Sequence, residues 1–186
     1  DVTDEEAVRK FVEELPAVDI AVLCAGMGVA GPAETTSQDM TRKQMEVNYF
    51  GTINAAQPCL TRMRRQGRGL LIVIGSIAGR VSIPMQSQYS ASKYALEAFT
   101  DAVRMEMKPY GVRATIIEPG DTKTGFTAAR ETQDEAAGGY GSIVRRSVAK
   151  MEADEQNGRS PESVARVALA LAGRKEPGRS WRHESL

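Results

Sequence analysis

Leu70-Leu71-Ile72-Val73-Ile74-Gly75-Ser76, followed after a loop by Tyr89-Ser90-Ala91-Ser92-Lys93, is the stretch on which the fold turns. The first five residues are apolar without alternation, the pattern of a strand buried on both faces, as in a parallel sheet. Gly75 and Ser76 end it with small residues. A loop containing Pro84 follows, and then a helix over about 88–110 that Gly111 punctuates. Two further apolar runs flank this unit. Residues 20–24 end in Ala25-Gly26, and residues 112–118 end at Pro119-Gly120.

Helical patterns fill the spaces between these runs. A helix begins after Thr3 or Asp4 as cap, carries Glu5 and Glu6 in its first turn, and stops at Pro16. Residues 37–66 form a long helical stretch with Ser37 as its cap and Arg62, Arg64 and Arg65 near its end, and Pro58 is expected to kink or divide it. Residues 121–158 read as a mobile polar excursion with short helices around Gly138-Gly139 and Gly141. Ser160-Pro161 opens a last helix that runs to about 172. Strands separated by helices imply right-handed crossovers and a parallel sheet covered on both faces, an α/β doubly wound architecture. The expected division is one domain over 1–172 and an irregular tail over 173–186, with no convincing strand in that tail.

Composition narrows the function. Lys plus Arg equals Asp plus Glu at 24 each, so nothing points to nucleic acid. No apolar run approaches the ~20 residues of a membrane span, and a cytoplasmic protein is expected. Cys24 and Cys59 match no metal spacing and read as two buried reduced thiols. The single histidine is His183, so acid–base chemistry in a packed core must use other groups.

In an open parallel sheet, ligands bind beyond the carboxyl ends of the strands, where small residues let them approach the backbone. Tyr89 and Lys93 stand at i and i+4 on one helical face. An ammonium beside a phenol favours the phenolate and lowers a pKa that starts near ~10. Ser76, at the mouth of the preceding strand, is placed to hydrogen-bond the oxygen that Tyr89 protonates.

Asp1-Val2, Ala25-Gly26, Asn48 with Gly51, Gly75-Ser76, Tyr89 to Lys93, and Pro119-Gly120 with Thr124 occur in this order. In that set the sequence resembles the classical short-chain dehydrogenase/reductase family, over residues 1 to about 172. The resemblance implies a Rossmann-like fold and a nicotinamide cofactor, NADP or NAD with NADP favoured. It implies Tyr89 as general acid in carbonyl reduction and base in alcohol oxidation. It makes Lys93 the holder of the nicotinamide ribose and Ser76 the group that orients the substrate oxygen. Asn48 would keep the long helix locally open so that a water relays protons to Lys93. Asp1 and Val2 would border the adenine. Cys24, Ala25 and Gly26 would edge the cofactor pocket, Cys24 through its backbone, and Pro119, Gly120, Thr122 and Thr124 would line the nicotinamide and its phosphates. No metal is expected. The resemblance further implies a homodimer or homotetramer built through the long helices, to which Ala95, Leu96, Phe99, Val103 and Met107 are compatible contributors.

The chain departs from the family's pattern in two ways. Leu23-Cys24-Ala25-Gly26 stands where two asparagines usually precede Ala-Gly. The glycine-rich turn of the first βαβαβ half has no counterpart, so the sheet is expected to be truncated, with the last strand missing as well. The substrate expected is a small lipophilic carbonyl or alcohol. Its wall is expected from residues 28–32, 77–86 and 121–158, with Val29, Val81, Ile83, Pro84, Met85, Phe126, Ile143 and Val144 as apolar members. The alternative is a catalytically inactive fragment, a cofactor-sensing regulator or an interaction module of the same fold.

Overall fold

The computed structural model describes residues 1–133, 139–174, 178 and 180–183. Its elements in chain order are α1 (Glu5–Glu14), β1 (Ile20–Leu23), β2 (Val29–Ala30), α2 (Gln38–Met45), α3 (Gly51–Gln66), β3 (Gly69–Ile74), α4 (Ser87–Met107), β4 (Val112–Pro119), β5 (Glu131–Thr132), α5 (Gly141–Gln156), α6 (Pro161–Ala172) and β6 (Ser180–His183). The main sheet runs β1-β3-β4-β6 and is parallel throughout. A second, two-stranded parallel pair joins β2 to β5.

The unbroken apolar run of β3 is explained by its place. Leu71 and Val73 face a core that includes Ala56, Leu96, Val103 and Ile116. Leu70 and Ile72 face the opposite side, against Ile117 and Leu171 of α6. Both faces are therefore covered, as expected of β3 and β4. In β1 only one face is: Ala21 and Leu23 pack inward, while Ile20 and Val22 are 46% and 49% exposed. An edge strand with one covered face cannot be told from a central one when all its residues are apolar. Gly67 and Gly111 both take left-handed turns, with φ of 69° and 71°. They abut because β3 and β4 start side by side: a Cβ on Gly111 would lie 2.3 Å from the Gly67 carbonyl oxygen.

Asp4 caps α1 by accepting from the Ala7 N–H, and Ser37 caps α2 by accepting from the Met40 N–H. The long helix continues through Pro58 without a break. It is interrupted earlier instead, by a π-helical turn at Glu46–Phe50 that joins α2 to α3.

Three expectations need correction here. Part of the tail is regular, because Ser180–His183 pairs with Ile116 to Pro119 as β6, the last strand that was expected to be missing. A four-residue Ser-Trp-Arg-His strand, held at the sheet edge by main-chain hydrogen bonds, carries no hydrophobic periodicity that sequence reading could detect. The 121–158 region is not limited to short helices, since α5 is 16 residues long. Cys24 is exposed, whereas Cys59 is buried, and both are free thiols. Asp134, Glu135 and Gly138, which fell within the expected polar excursion, lie outside the described residues. No group of acids, histidines and cysteines among the described residues suits a metal ion. No helix among them is long and apolar enough to cross a membrane. Leu96 and Val103 belong to the core, and Phe99 and Met107 pack against it, so these four serve internal packing.

Candidate active site

The π-helical turn sets up the site. Its i to i+5 closure, with the Gly51 N–H bonded to the Glu46 carbonyl, adds one residue to the helix and turns Asn48 into the interior. Asn48 is fully buried. Its amide brackets one residue of the loop after β1: Oδ1 accepts from the Met27 N–H at 2.8 Å and Nδ2 donates to the Met27 carbonyl at 3.0 Å. Nδ2 also donates to the Ser92 hydroxyl at 3.1 Å, which in turn donates to the Tyr89 carbonyl at 2.7 Å. Gln44, one turn earlier and equally buried, accepts from the Val29 N–H at 2.7 Å and donates to the Met27 carbonyl at 2.8 Å. Sequence reasoning missed Gln44. The available signal was its place four residues before Asn48 on the same helical stretch.

Lys93 and Tyr89 lie on the inner face of α4, 5% and 9% exposed. The Lys93 ammonium donates to the Ile74 carbonyl at 3.2 Å and stands 5.7 Å from the centroid of the Tyr89 ring. A Cβ on Gly26 would sit 3.4 Å from Asn48 Oδ1 and 3.8 Å from Lys93 Nζ. Ala25-Gly26, Asn48 and Lys93 therefore converge on one place. Burial lowers the Lys93 pKa to about 8, a shift that the nearby Cys24 thiol partly opposes.

Ser76 closes the mouth of β3. Its hydroxyl accepts from the Ala78 N–H and hydrogen-bonds Tyr89, which draws the phenol's pKa down. Burial outweighs that bond and raises the phenol's pKa. The lowering expected from Lys93 is not the controlling effect in this arrangement. Its ammonium is directed at the Ile74 carbonyl, beside the ring face and not at the hydroxyl, and burial weakens its hold on a proton.

The remaining expected residues divide. Gly75 is required by close packing, since a Cβ there would meet Ile116 at 2.8 Å. The Thr122 hydroxyl donates to the Gly120 carbonyl and Thr124 accepts from the Phe126 N–H, so both shape the turn after Pro119. Val2 packs against Gly51, and its carbonyl accepts from Asn54. The Asp1 carboxylate accepts from Thr3 and is brought to none of the Tyr89 cluster. Of the expected substrate wall, Phe126 reaches Tyr89, ring to ring at 5.6 Å. Val29 and Val144 are buried in the fold instead, 1% and 0% exposed, and Val81 is 61% exposed.

Behind the site, Arg80 bridges two carboxylates, Glu97 at 2.8 Å and Glu118 at 3.0 Å. Glu118 is 1% exposed, and the three residues tie the turn after β3 to α4 and β4. Their separation in sequence hid the grouping. Arg80→Met leaves both acids without this cation, and removing one partner of a buried ion pair costs about 3 kcal/mol or more. Urea denaturation near neutral pH is expected to read that loss, and Glu97→Gln with Glu118→Gln is expected to restore much of it.

A model of the family described as short chain dehydrogenase matches residues 1–135. The chain is 34% identical over 183 residues to a 3-ketodihydrosphingosine reductase of Bacteroides thetaiotaomicron, covering 95% of this chain and 68% of that protein. It is 36% identical over 179 residues to dehydrogenase/reductase SDR family member 7B of Xenopus laevis, covering 94% of this chain and 52% of that protein. The chain thus spans about half the length of that second relative. Among solved structures, a short-chain dehydrogenase from Streptomyces avermitilis superposes with a TM-score of 0.88 at 25% identity, over 100% of this chain and 69% of the other. A serine dehydrogenase complexed with NADP+ superposes with a TM-score of 0.81 at 25% identity, over 98% and 72%. With its parallel sheet and the Ser76–Tyr89–Lys93 cluster at the strand ends, the chain belongs to the short-chain dehydrogenase family.

Proposed function

We propose that the protein interconverts a secondary alcohol and a ketone with NAD(P), using Tyr89 as the proton-transferring group. The observation that carries the reading is the buried cluster in which Ser76 bonds Tyr89 and the Lys93 ammonium lies 5.7 Å from the same ring. A nicotinamide cofactor supplies or accepts the hydride. The residues present fit its ribose. An ammonium has three donors, and Lys93 directs one at the Ile74 carbonyl. Gly26 has no side chain to fill the space beside Asn48 and Lys93. Lys93 would hold the ribose hydroxyls, and Ser76 would orient the substrate oxygen toward the Tyr89 hydroxyl. Asn48, whose own amide is taken up by Met27 and Ser92, would keep the long helix open so that a water relays protons to Lys93.

The raised pKa of Tyr89 keeps it protonated at neutral pH, the state that gives a proton to a carbonyl oxygen as it is reduced. The charged form of Lys93 is the one that donates, and it prevails below about 8. Ketone reduction is therefore expected to hold a plateau below that pH and to fall above it. Alcohol oxidation, which needs the phenolate, is expected to rise. Initial rates of nicotinamide absorbance change in both directions, with a panel of lipophilic ketones and their alcohols, measure this. A reduction rate that climbs through pH 8 would contradict the assignment.

A further inference from the structure

Two groups of residues meet at Tyr89. Lys93, Asn48 and Gly26 form one, and it is spoken for by the ribose. The other comprises Phe126, Gly28 and Arg130. Phe126 lies 5.6 Å from the Tyr89 ring, and a Cβ on Gly28 would stand 2.7 Å from Phe126 Cζ. Arg130 places its guanidinium carbon 5.8 Å from the centroid of the Phe126 ring. The next residue, Glu131, bonds its N–H to the Gly28 carbonyl at 2.9 Å. Arg130 thus stands against Phe126, whose ring abuts Tyr89.

The state of Arg130 is unusual. Its side chain is 2% exposed. Nη2 pairs with Glu155, whose other oxygen accepts from the Thr127 hydroxyl at 2.6 Å. Nε and Nη1 are buried and have no hydrogen-bond acceptor among the described residues. A guanidinium carries five N–H donors and cannot shed its charge. Buried donors of a charged group left without acceptors are costly and are seldom retained without a ligand or other partner to meet them. The Glu155 carboxylate and the Arg130 guanidinium both act on the Tyr89 hydroxyl, in opposite directions, the carboxylate more strongly.

We propose that Arg130 is an anion subsite that takes a carboxylate carried by the substrate, so that the lipophilic ketone reduced at Tyr89 is an oxo-carboxylate. Glu155 occupies one nitrogen and leaves the other two for the ligand. This deepens the reading above and rests on it only for the identity of the reacting group.

Titration calorimetry on the chain with levulinate, its methyl ester and inorganic phosphate separates the cases. Levulinate is expected to bind about 10- to 100-fold more tightly than the ester, the range of a hydrogen bond to a charged group. The double variant Arg130→Met with Glu155→Gln removes both charges without stranding either, and is expected to abolish that preference. Arg130→Lys is expected to keep part of it, which holds the test open should the double variant fold poorly. Equal binding of acid and ester overturns the proposal, as does a preference that survives the double variant. Preferential binding of phosphate also overturns it, by marking a cofactor phosphate site. A preference for levulinate in a protein that reduces no ketone would leave the subsite standing and sink the catalytic reading instead.

Discussion

Tyr89→Phe is expected to abolish ketone reduction while leaving the fold intact. General acid–base transfer by a positioned side chain contributes roughly 100- to 10,000-fold, so the rate should fall by about that factor. The ring remains, and with it the contact to Phe126 at 5.6 Å. What is lost is one hydroxyl and its bond to Ser76, a net change of about 1 kcal/mol in stability. Circular dichroism melts together with initial rates distinguish these effects. Should Tyr89→Phe keep its activity, or should a cofactor-dependent signal exist without turnover and survive the change, a regulator of the same fold would be the better description.

Lys93→Met is expected to do two opposite things at once. It removes the donor that would hold the ribose, so reduction should drop by about 100-fold or more. It also removes a buried charge. The pKa of Lys93 falls from 10.5 unfolded to about 8 folded. Between those values the unfolded chain binds the extra proton, so stability rises with pH through that window, and below about 8 the full cost of burying the ammonium is present. That cost is about 3 kcal/mol, offset by about 1 kcal/mol for the lost bond to the Ile74 carbonyl. Near pH 7 the variant should therefore be more stable by about 2 kcal/mol, roughly 4–8 °C in melting temperature for a domain of this size. Near pH 10 the difference should vanish. A variant that melts lower at pH 7 would show that Lys93 is stabilising where it sits, contrary to the burial argument.

The two substitutions also show where sequence reading had force. Tyr89 and Lys93 sit on one helix, one turn apart, and Ser76 ends the strand that feeds it, so local periodicity and strand-end logic were enough to group them. Asn48 required the family resemblance, because a widened helical turn has no hydrophobic signature. Gln44, Arg80, Glu97, Glu118, Arg130 and Glu155 are polar residues scattered over more than 100 positions. Their meaning lies in burial and pairing, which arise only when the helices close over the sheet. The same limit explains β6, whose place is set by backbone bonds to β4, and β1, whose uncovered face is a matter of what does not pack against it. The direction of the Tyr89 shift escapes sequence reading for a related reason: the neighbouring charge is visible in the spacing, whereas the depth of burial is not.

The π-helical turn at Glu46–Phe50 makes one rod work as two cams set at different angles. Each residue advances an α-helix by about 100°, so the added residue rotates everything after it by that amount relative to everything before. Ahead of the turn, Gln44 is phased toward the loop of Met27 and Val29. Beyond it, Ala56 and Met63 are phased toward the sheet. Asn48 stands at the change of phase. Deleting a single residue there would leave an ordinary helix with good local hydrogen bonding and one of its two faces turned the wrong way.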